Sequence, residues 1–143
     1  MRISSRLMSA VSALALALGL AACSTMPLPE KQSVVIQISE SDPAKWNLAL
    51  NNAKNLQAEL GKDNVNIEIV AYGPGLDMLK FDSEVSNRLT DARKGGVTLA
   101  ACGNTMKARK VAKQDLHADV TVVPAGVVEI MNRQRAGWAY IKP

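Results

Sequence analysis

The fold is decided by residues 97–106, VTLAACGNTM. The apolar first half of this stretch predicts a short buried strand, Gly103 allows the chain to turn, and Asn104 or Thr105 can cap a helix that follows. Cys102 lies at the junction, where open α/β folds collect their chemistry and where a helix amino terminus favours a thiolate. A reactive cysteine is one interpretation, and a buried structural cysteine is the other, because free cysteines are often buried.

Residues 1–22 have the features of an export signal. Two arginines precede an apolar run that is shorter than the roughly 20 residues needed to span a bilayer. The run ends in the sequence LAAC, in which Cys23 is followed by Ser24. This ending resembles the lipobox of bacterial lipoproteins, whose cysteine becomes the lipidated first residue. A plain signal peptide cleaved near Ala22 is the alternative.

These features divide the chain into three parts. Residues 1–22 are a lipoprotein-type signal peptide, residues 23–32 are the lipidated cysteine and a proline-containing tether, and residues 33–143 form one domain. The expected location is the periplasmic side of the cell envelope, with the membrane contacted through the lipid anchor only. Ser24 resembles the residue found in lipoproteins of the outer membrane. Without lipidation, the protein would be soluble in the periplasm.

Charge and composition exclude several classes of function. The formal net charge of +4 falls to +2 once the two arginines of the leader are removed, and only 3% of residues are aromatic, so no nucleic-acid surface is expected. The chain has neither a P-loop nor a nucleophile elbow. One histidine and no cysteine pair provide no zinc site, and no cofactor is expected. If Cys23 is lipidated, Cys102 has no disulfide partner within the chain.

Strand-like and helix-like segments alternate along the domain. This order predicts an α/β fold, a three-layer α/β/α sandwich with a mostly parallel five-stranded sheet. The predicted strands are residues 33–39, 65–72, 97–101, 120–123 and 138–141. The predicted helices are residues 43–60 with Asp42 as the cap, a second helix that is capped by Asp82 or Ser83 and ends at Gly95-Gly96, and residues 105–116 and 127–136. A helical turn is expected over residues 76–80.

Three loops should meet at the carboxyl edge of this sheet, because parallel strands end at the same edge. Each loop follows a strand, and each contains glycine or proline, which suits either a tight turn or a backbone wall beside a small ligand. The candidate ligand-binding residues are Gly73, Pro74 and Gly75, then Gly103, Asn104 and Thr105 beside Cys102, and finally Pro124, Ala125 and Gly126.

The first helix has four asparagines within nine residues, at positions 47, 51, 52 and 55. Asparagine is a mediocre helix former because its side chain competes for the backbone. The cluster indicates either a solvated face or hydrogen bonding at an interface. Asn47, the nearest of the four to the start of the helix, is a further candidate for ligand binding.

Several segments together resemble the DsrE/DsrF-like superfamily, in particular its small secreted members. They are WNLALNNA at 46–53, YGPG at 72–75, ACGNT at 101–105, PAGV at 124–127 and GWAY at 137–140. The resemblance implies a three-layer α/β/α domain that assembles into trimers or hexamers. In the sulfur-relay members, a cysteine after the third strand carries sulfur as a persulfide, and Cys102 falls at that place.

Three hypotheses follow. In the first, the protein is an exported sulfur carrier or sulfurtransferase in which Cys102 exchanges sulfane sulfur with a partner protein or a small sulfur compound. In the second, it is a non-enzymatic binding or assembly module of the envelope. In the third, Cys102 senses redox conditions through an intermolecular disulfide. Rapid alkylation of Cys102 would favour the first over the second, and non-reducing gels after mild oxidation would reveal the third.

Overall fold

The structure is a computed structural model in which residues 31–143 are described. The predicted signal peptide, Cys23 and nearly all of the predicted tether lie outside the described residues. The strands are β1 (Gln32–Ile38), β2 (Val65–Ala71), β3 (Thr98–Cys102), β4 (Thr121–Val123) and β5 (Ala139–Ile141). The α-helices are α1 (Pro43–Leu60), α2 (Ser86–Lys94), α3 (Gly103–Arg109) and α4 (Gly126–Arg135). Short 3-10 helices span Lys62–Asn64, Gly73–Leu79 and Lys113–Asp115.

Helix α1 shows how the local sequence sets an element. The side chain of Asp42 accepts a hydrogen bond from the backbone N–H of Ala44 at 2.9 Å, and Pro43 occupies the first turn, where no donor is missed. The helix ends at Gly61, whose φ of 88° suits glycine. Its apolar stripe, which includes the buried residues Trp46 and Leu50, packs on the sheet.

The five strands form one parallel sheet in the order β4-β3-β2-β1-β5. The chain moves one strand at a time from β1 to β4 and then returns past the whole sheet to β5. Since such crossovers are almost always right-handed, the helices between β1 and β4 lie on one face and α4 lies on the other. The predicted α/β sandwich is therefore confirmed, with every strand pair parallel.

The two faces of the sheet have cores of different size. The larger core joins α1, α2 and α3 to the sheet through residues that include Trp46, Leu89 and Met106. The smaller core, under α4, contains Val35, Val70, Ala100, Val123 and Ile130. Within residues 31–143, no helix is both long and apolar enough to span a membrane.

The structure corrects two of the predicted elements. The helix predicted over residues 105–116 ends at Arg109, because Lys110 adopts a left-handed conformation with a φ of 55°. Lys113–Asp115 form a short 3-10 helix, and Leu116 then makes a bridge to Lys80. Gly73, predicted as part of a turn, begins a 3-10 helix instead.

Strand boundaries also differ slightly from the prediction. Strand β1 begins at Gln32, one residue before the predicted start, and β3 extends by one residue to Cys102. The second shift matters for the site, because Cys102 is the last residue of a strand and therefore has a fixed backbone direction.

Candidate functional site

The helices that follow β3 and β4 lie on opposite faces of the sheet, although the two strands are neighbours. In open α/β folds, ligands bind in the crevice outside the carboxyl ends of two such strands. Cys102 is the last residue of β3, and Gly126, the first residue of α4, follows β4 closely. The topology therefore places Cys102 beside the crevice.

The Cys102 side chain lies on the face that carries α4. Alternation along β3 puts Cys102 on the same face as Ala100, which belongs to the smaller core. Only 6% of Cys102 is exposed. A Cβ atom at Gly126 would lie 3.3 Å from the Cys102 Cβ and 3.2 Å from the ring atom Cδ1 of Tyr72. Glycine at position 126 is what allows α4 to begin directly against the cysteine.

The surroundings of the Cys102 sulfur change the pKa of its thiol. Burial raises the pKa of the thiol, but hydrogen bonds from the Thr105 hydroxyl and from the backbone N–H groups of Gly126, Thr105 and Asn104 outweigh it, so the pKa is lower than usual. These donors stabilise a negative sulfur. The amino end of the ten-residue helix α4 adds a favourable dipole.

The Thr105 hydroxyl is oriented by a neighbouring loop. The backbone N–H of Gly73 donates to Thr105 Oγ1 at 2.9 Å. A hydroxyl has one hydrogen to donate, and an oxygen that already accepts from Gly73 can direct that hydrogen to the sulfur. The loop after β2 thus supports the cysteine at the end of β3.

The three loops predicted to meet at the carboxyl edge do lie together. The backbone N–H of Asn104 donates to the carbonyl of Pro124 at 3.1 Å, and a Cβ at Gly103 would lie 3.1 Å from the carbonyl of Val123. The loop after β2 packs closely against β1. A Cβ atom at Gly75 would lie only 2.4 Å from the backbone oxygen of Ile38, so only glycine fits there. Ala125 immediately precedes α4, as its N-cap residue.

Asn47 lies away from the Cys102 site. Its side chain donates to the carbonyl of Pro43 at 2.9 Å and accepts a hydrogen bond from Arg88 of α2. It therefore joins α1 to α2 on the face opposite α4. Of the two interpretations of the asparagine cluster, hydrogen bonding at an interface describes Asn47 and also Asn51, which accepts from Arg88 at 2.7 Å.

Two residues at the site were missed in the sequence. Tyr72 packs against Gly126, and Arg109 donates to the carbonyl of Gly73 at 3.2 Å while it pairs with Asp77 at 2.9 Å. The position of Tyr72 directly after β2 could have revealed it. Nothing in the sequence pattern pairs Arg109 with Asp77, because the two residues are 32 positions apart.

Comparison with known proteins identifies the family. The family model of the DsrE/DsrF-like family matches residues 32–143, which is most of the chain. The chain belongs to the DsrE/DsrF-like family. This confirms the resemblance found in the sequence. No curated protein was found that matches the chain.

Two solved structures are similar to this DsrE/DsrF-like protein. MTH1491 from Methanobacterium thermoautotrophicum, a protein of unknown function, is 41% identical with a TM-score of 0.75, over 78% of this chain and 99% of that one. BT1422 from Bacteroides thetaiotaomicron, a conserved protein of unknown function, is 14% identical with a TM-score of 0.66, over 82% of this chain and 99% of that one. The second similarity concerns the fold alone.

The only histidine of this DsrE/DsrF-like chain is engaged outside the Cys102 site. His117 contacts Thr90 Oγ1 through Nε2 at 3.0 Å and the carbonyl of Ala118 through Nδ1 at 2.8 Å. Over residues 31–143, no three side chains among histidine, cysteine, aspartate and glutamate are grouped so that they could hold a metal ion. Among the described residues, the free cysteine at this site is Cys102, and the pKa of its thiol is lower than usual.

Proposed function

We propose that this protein handles sulfane sulfur and that Cys102 carries it as a persulfide. The observation that carries the proposal is the position of Cys102 at the end of β3, with its Cβ directly against the first residue of α4. The lowered pKa of its thiol is consistent with this position. Membership of the DsrE/DsrF-like family, which is generally linked to sulfur relay, supports it. In a persulfide the negative charge lies on the outer sulfur, one S–S bond beyond Sγ, and the dipole at the amino end of α4 favours negative charge there as well.

The loading step needs only the thiolate and a sulfane-sulfur donor. The thiol first loses its proton to solvent. With thiosulfate, the Cys102 thiolate attacks the terminal sulfur, a new S–S bond forms, and the bond to the sulfonate sulfur breaks. Sulfite leaves with the bonding electron pair, so no external oxidant is required. Transfer to an acceptor is a second displacement. An acceptor thiolate attacks the outer sulfur of the persulfide, the S–S bond to Cys102 breaks, and Cys102 leaves as its thiolate.

The loops beside Cys102 would shape the space for donor and acceptor. Backbone groups at Gly73–Gly75, Gly103–Thr105 and Pro124–Gly126 form the walls, and Thr105 orients the sulfur. The protein would act in the cell envelope, as the export features of residues 1–22 indicate.

Mass spectrometry of the loaded protein tests this function. The purified protein is incubated with thiosulfate or polysulfide, and its intact mass and Cys102 peptide are measured. We expect the mass of one sulfur atom to be added at Cys102, to be removed by dithiothreitol, and to be absent from Cys102→Ser. Absence of added sulfur on the wild type, or equal loading of Cys102→Ser, would disprove the function.

A second candidate function is the non-enzymatic assembly module. It is favoured by the outer face of α4, where Val127, Val128 and Met131 are 57%, 45% and 41% exposed. Exposed apolar side chains on a helix that already buries its other face are typical of an interface. In this function the protein forms trimers or hexamers, and folded Cys102 reacts with alkylating reagents no faster than an ordinary buried thiol. Oligomerisation is also compatible with sulfur transfer, so the alkylation rate distinguishes the two candidates.

A further inference from the structure

A cleft of about 410 Å³ lies between α1 and α2, on the face of the sheet opposite α4. Its apolar floor is formed by Leu50, Ala53 and Val97, and its polar rim includes Lys54 and Lys62. This volume is within the range of roughly 300 to 1,000 Å³ that is usual for small-molecule sites. An apolar floor with a few polar groups at the rim is also the usual composition of such sites.

Arg88 supplies a fixed positive charge to this cleft. Its guanidinium donates to the side-chain and backbone oxygens of Asn47, and to Asn51 Oδ1 at 2.7 Å. All three acceptors are uncharged amide oxygens. They orient the guanidinium without neutralising it, unlike a carboxylate partner. This arrangement gives the two asparagines of the cluster a structural role.

The balance of charge in the cleft favours an anion. Three basic residues line it, whereas Asp91 is the only acidic one. The two lysines are exposed, whereas the guanidinium of Arg88 is held by hydrogen bonds to α1. Since a bidentate guanidinium suits carboxylate, phosphate and sulfonate oxygens alike, the shared chemistry is that of an oxyanion.

We propose that this cleft is a binding site for a small amphiphilic anion. The oxyanion group is bound by Arg88 and the two lysines, and the apolar part of the ligand packs on Leu50, Ala53 and Val97. The site is separate from Cys102. Val97 directly precedes β3 and Cys102 ends it, so the two sites lie at opposite ends of that strand and on opposite faces. The proposal is independent of sulfur transfer.

Titration with naphthalene-2-sulfonate tests the site. The ¹⁵N-labelled full chain is titrated and followed by NMR, with 2-naphthalenemethanol as the uncharged probe of the same shape. We expect saturable shifts of amides in the second half of α1 and in α2, and at least tenfold weaker binding of the alcohol. Equal affinity for both probes, or shifts confined to α4, would overturn the proposal.

Matched variants test which charges are responsible. The double variant Lys54→Gln with Lys62→Gln should weaken sulfonate binding at least fivefold, and Arg88→Met should abolish it. Because Arg88→Met also removes three hydrogen bonds between α1 and α2, the double variant is the decisive one. The control, Lys94→Gln with Lys107→Gln, removes two exposed lysines that do not line the cleft and should bind as the wild type does. An equal loss in both double variants would show only nonspecific attraction and would contradict the site.

Discussion

The hydroxyl of Thr105 lies between two polar groups that belong to different strand ends. It accepts from the N–H of Gly73, and it lowers the pKa of the Cys102 thiol. Because this hydroxyl is the one side-chain donor among those that hold the pKa of Cys102 below its usual range, it can be removed without altering the backbone donors of Asn104 and Gly126. The role of a single side chain in activating the thiol can therefore be measured.

Thr105→Val should slow the alkylation of Cys102 about tenfold at neutral pH. Loss of a hydrogen bond to a charged group is worth about 1.5 kcal/mol or more, which corresponds to a factor of about ten in the amount of thiolate. A higher pKa leaves less thiolate at a given pH. The measurement is the rate of iodoacetamide modification as a function of pH, followed by intact mass.

Thr105→Ser is the matched control, because it keeps the hydroxyl and changes only a methyl group. Its pH profile should overlay that of the wild type. Thr105→Val also leaves the Gly73 N–H without its acceptor, so we expect it to be less stable to heat than Thr105→Ser. If valine and serine at this position give the same profile, the hydroxyl does not activate Cys102.

At the scale of elements, α4 is held on the sheet by an ion pair as well as by apolar contacts. Glu68, in the middle of β2, is 2% exposed and accepts from Arg133 Nε at 2.6 Å. Arg133 also pairs with Glu129 at 2.9 Å and lies over the ring of Trp138, 4.6 Å from its centroid. Since α4 begins against Cys102, the stability of this contact bears on the site.

Glu68 should make the protein less stable as the pH rises. Burial raises the pKa of its carboxyl group above the usual value, and the hydrogen bond from Arg133 only partly opposes this. The native state therefore binds the proton more tightly than the unfolded state, and the contribution is lost as pH rises through the native pKa. The free energy of unfolding of the wild type, minus that of Glu68→Gln, should fall as the pH rises above about 4.5.

Glu40 should have the opposite effect on how the stability of the protein depends on pH. Hydrogen bonds from Lys45 and Ser39 lower the pKa of its carboxyl group to about 2. The contribution of Glu40 to the free energy of unfolding should be present above the ordinary pKa of a glutamate, and it should decline as the pH falls toward 2. The difference between wild type and Glu40→Gln should accordingly rise with pH, measured by urea unfolding. If the difference in free energy of unfolding falls with rising pH for both glutamates, burial of Glu68 is not the cause of its pH dependence.

At the scale of the whole molecule, the outer face of α4 should mediate assembly. Val128→Glu combined with Met131→Glu should convert a trimer or hexamer to a monomer, because two carboxylates would be buried in the interface. Both side chains are exposed in the single subunit, so its fold should be retained. Size-exclusion chromatography with light scattering gives the mass in solution.

Leu48→Glu is the control for this prediction. Leu48 is an exposed apolar residue of α1, on the other side of the sheet from α4. This variant should keep the size of the wild type. A wild-type protein that is monomeric at high concentration would contradict assembly through α4.

A lipid on Cys23 would hold the protein at the membrane. Cys23 lies outside the described residues, and its lipidation rests on the sequence alone. Several acyl chains, at about 0.8 kcal/mol per buried methylene, would anchor the protein stably. Cys23→Ser should move the protein from the membrane to the soluble fraction, or block its processing. Fractionation of cells and mass analysis of the mature N-terminus provide the test, and a soluble wild type without lipid would refute the anchor.

The sequence by itself determined the elements and their order. Apolar runs specify strands, the pair Asp42-Pro43 starts α1, and alternation of strands and helices leads to a parallel sheet. Because parallel strands end at one edge, the meeting of the loops at Gly73, Cys102 and Gly126 followed from this order. These features depend on neighbouring residues and on general rules of chain connection.

The tertiary structure alone decided which distant residues meet. The end of the third helix at Arg109 depends on a left-handed Lys110, which the amphipathic pattern of residues 105–116 concealed. Arg88 contacts Asn47 over 41 positions, and Arg133 contacts Glu68 over 65. Periodicity shows which face of an element is apolar but not which polar residue of another element it opposes. That choice depends on how the helices pack, because the packing brings together side chains that no local pattern relates.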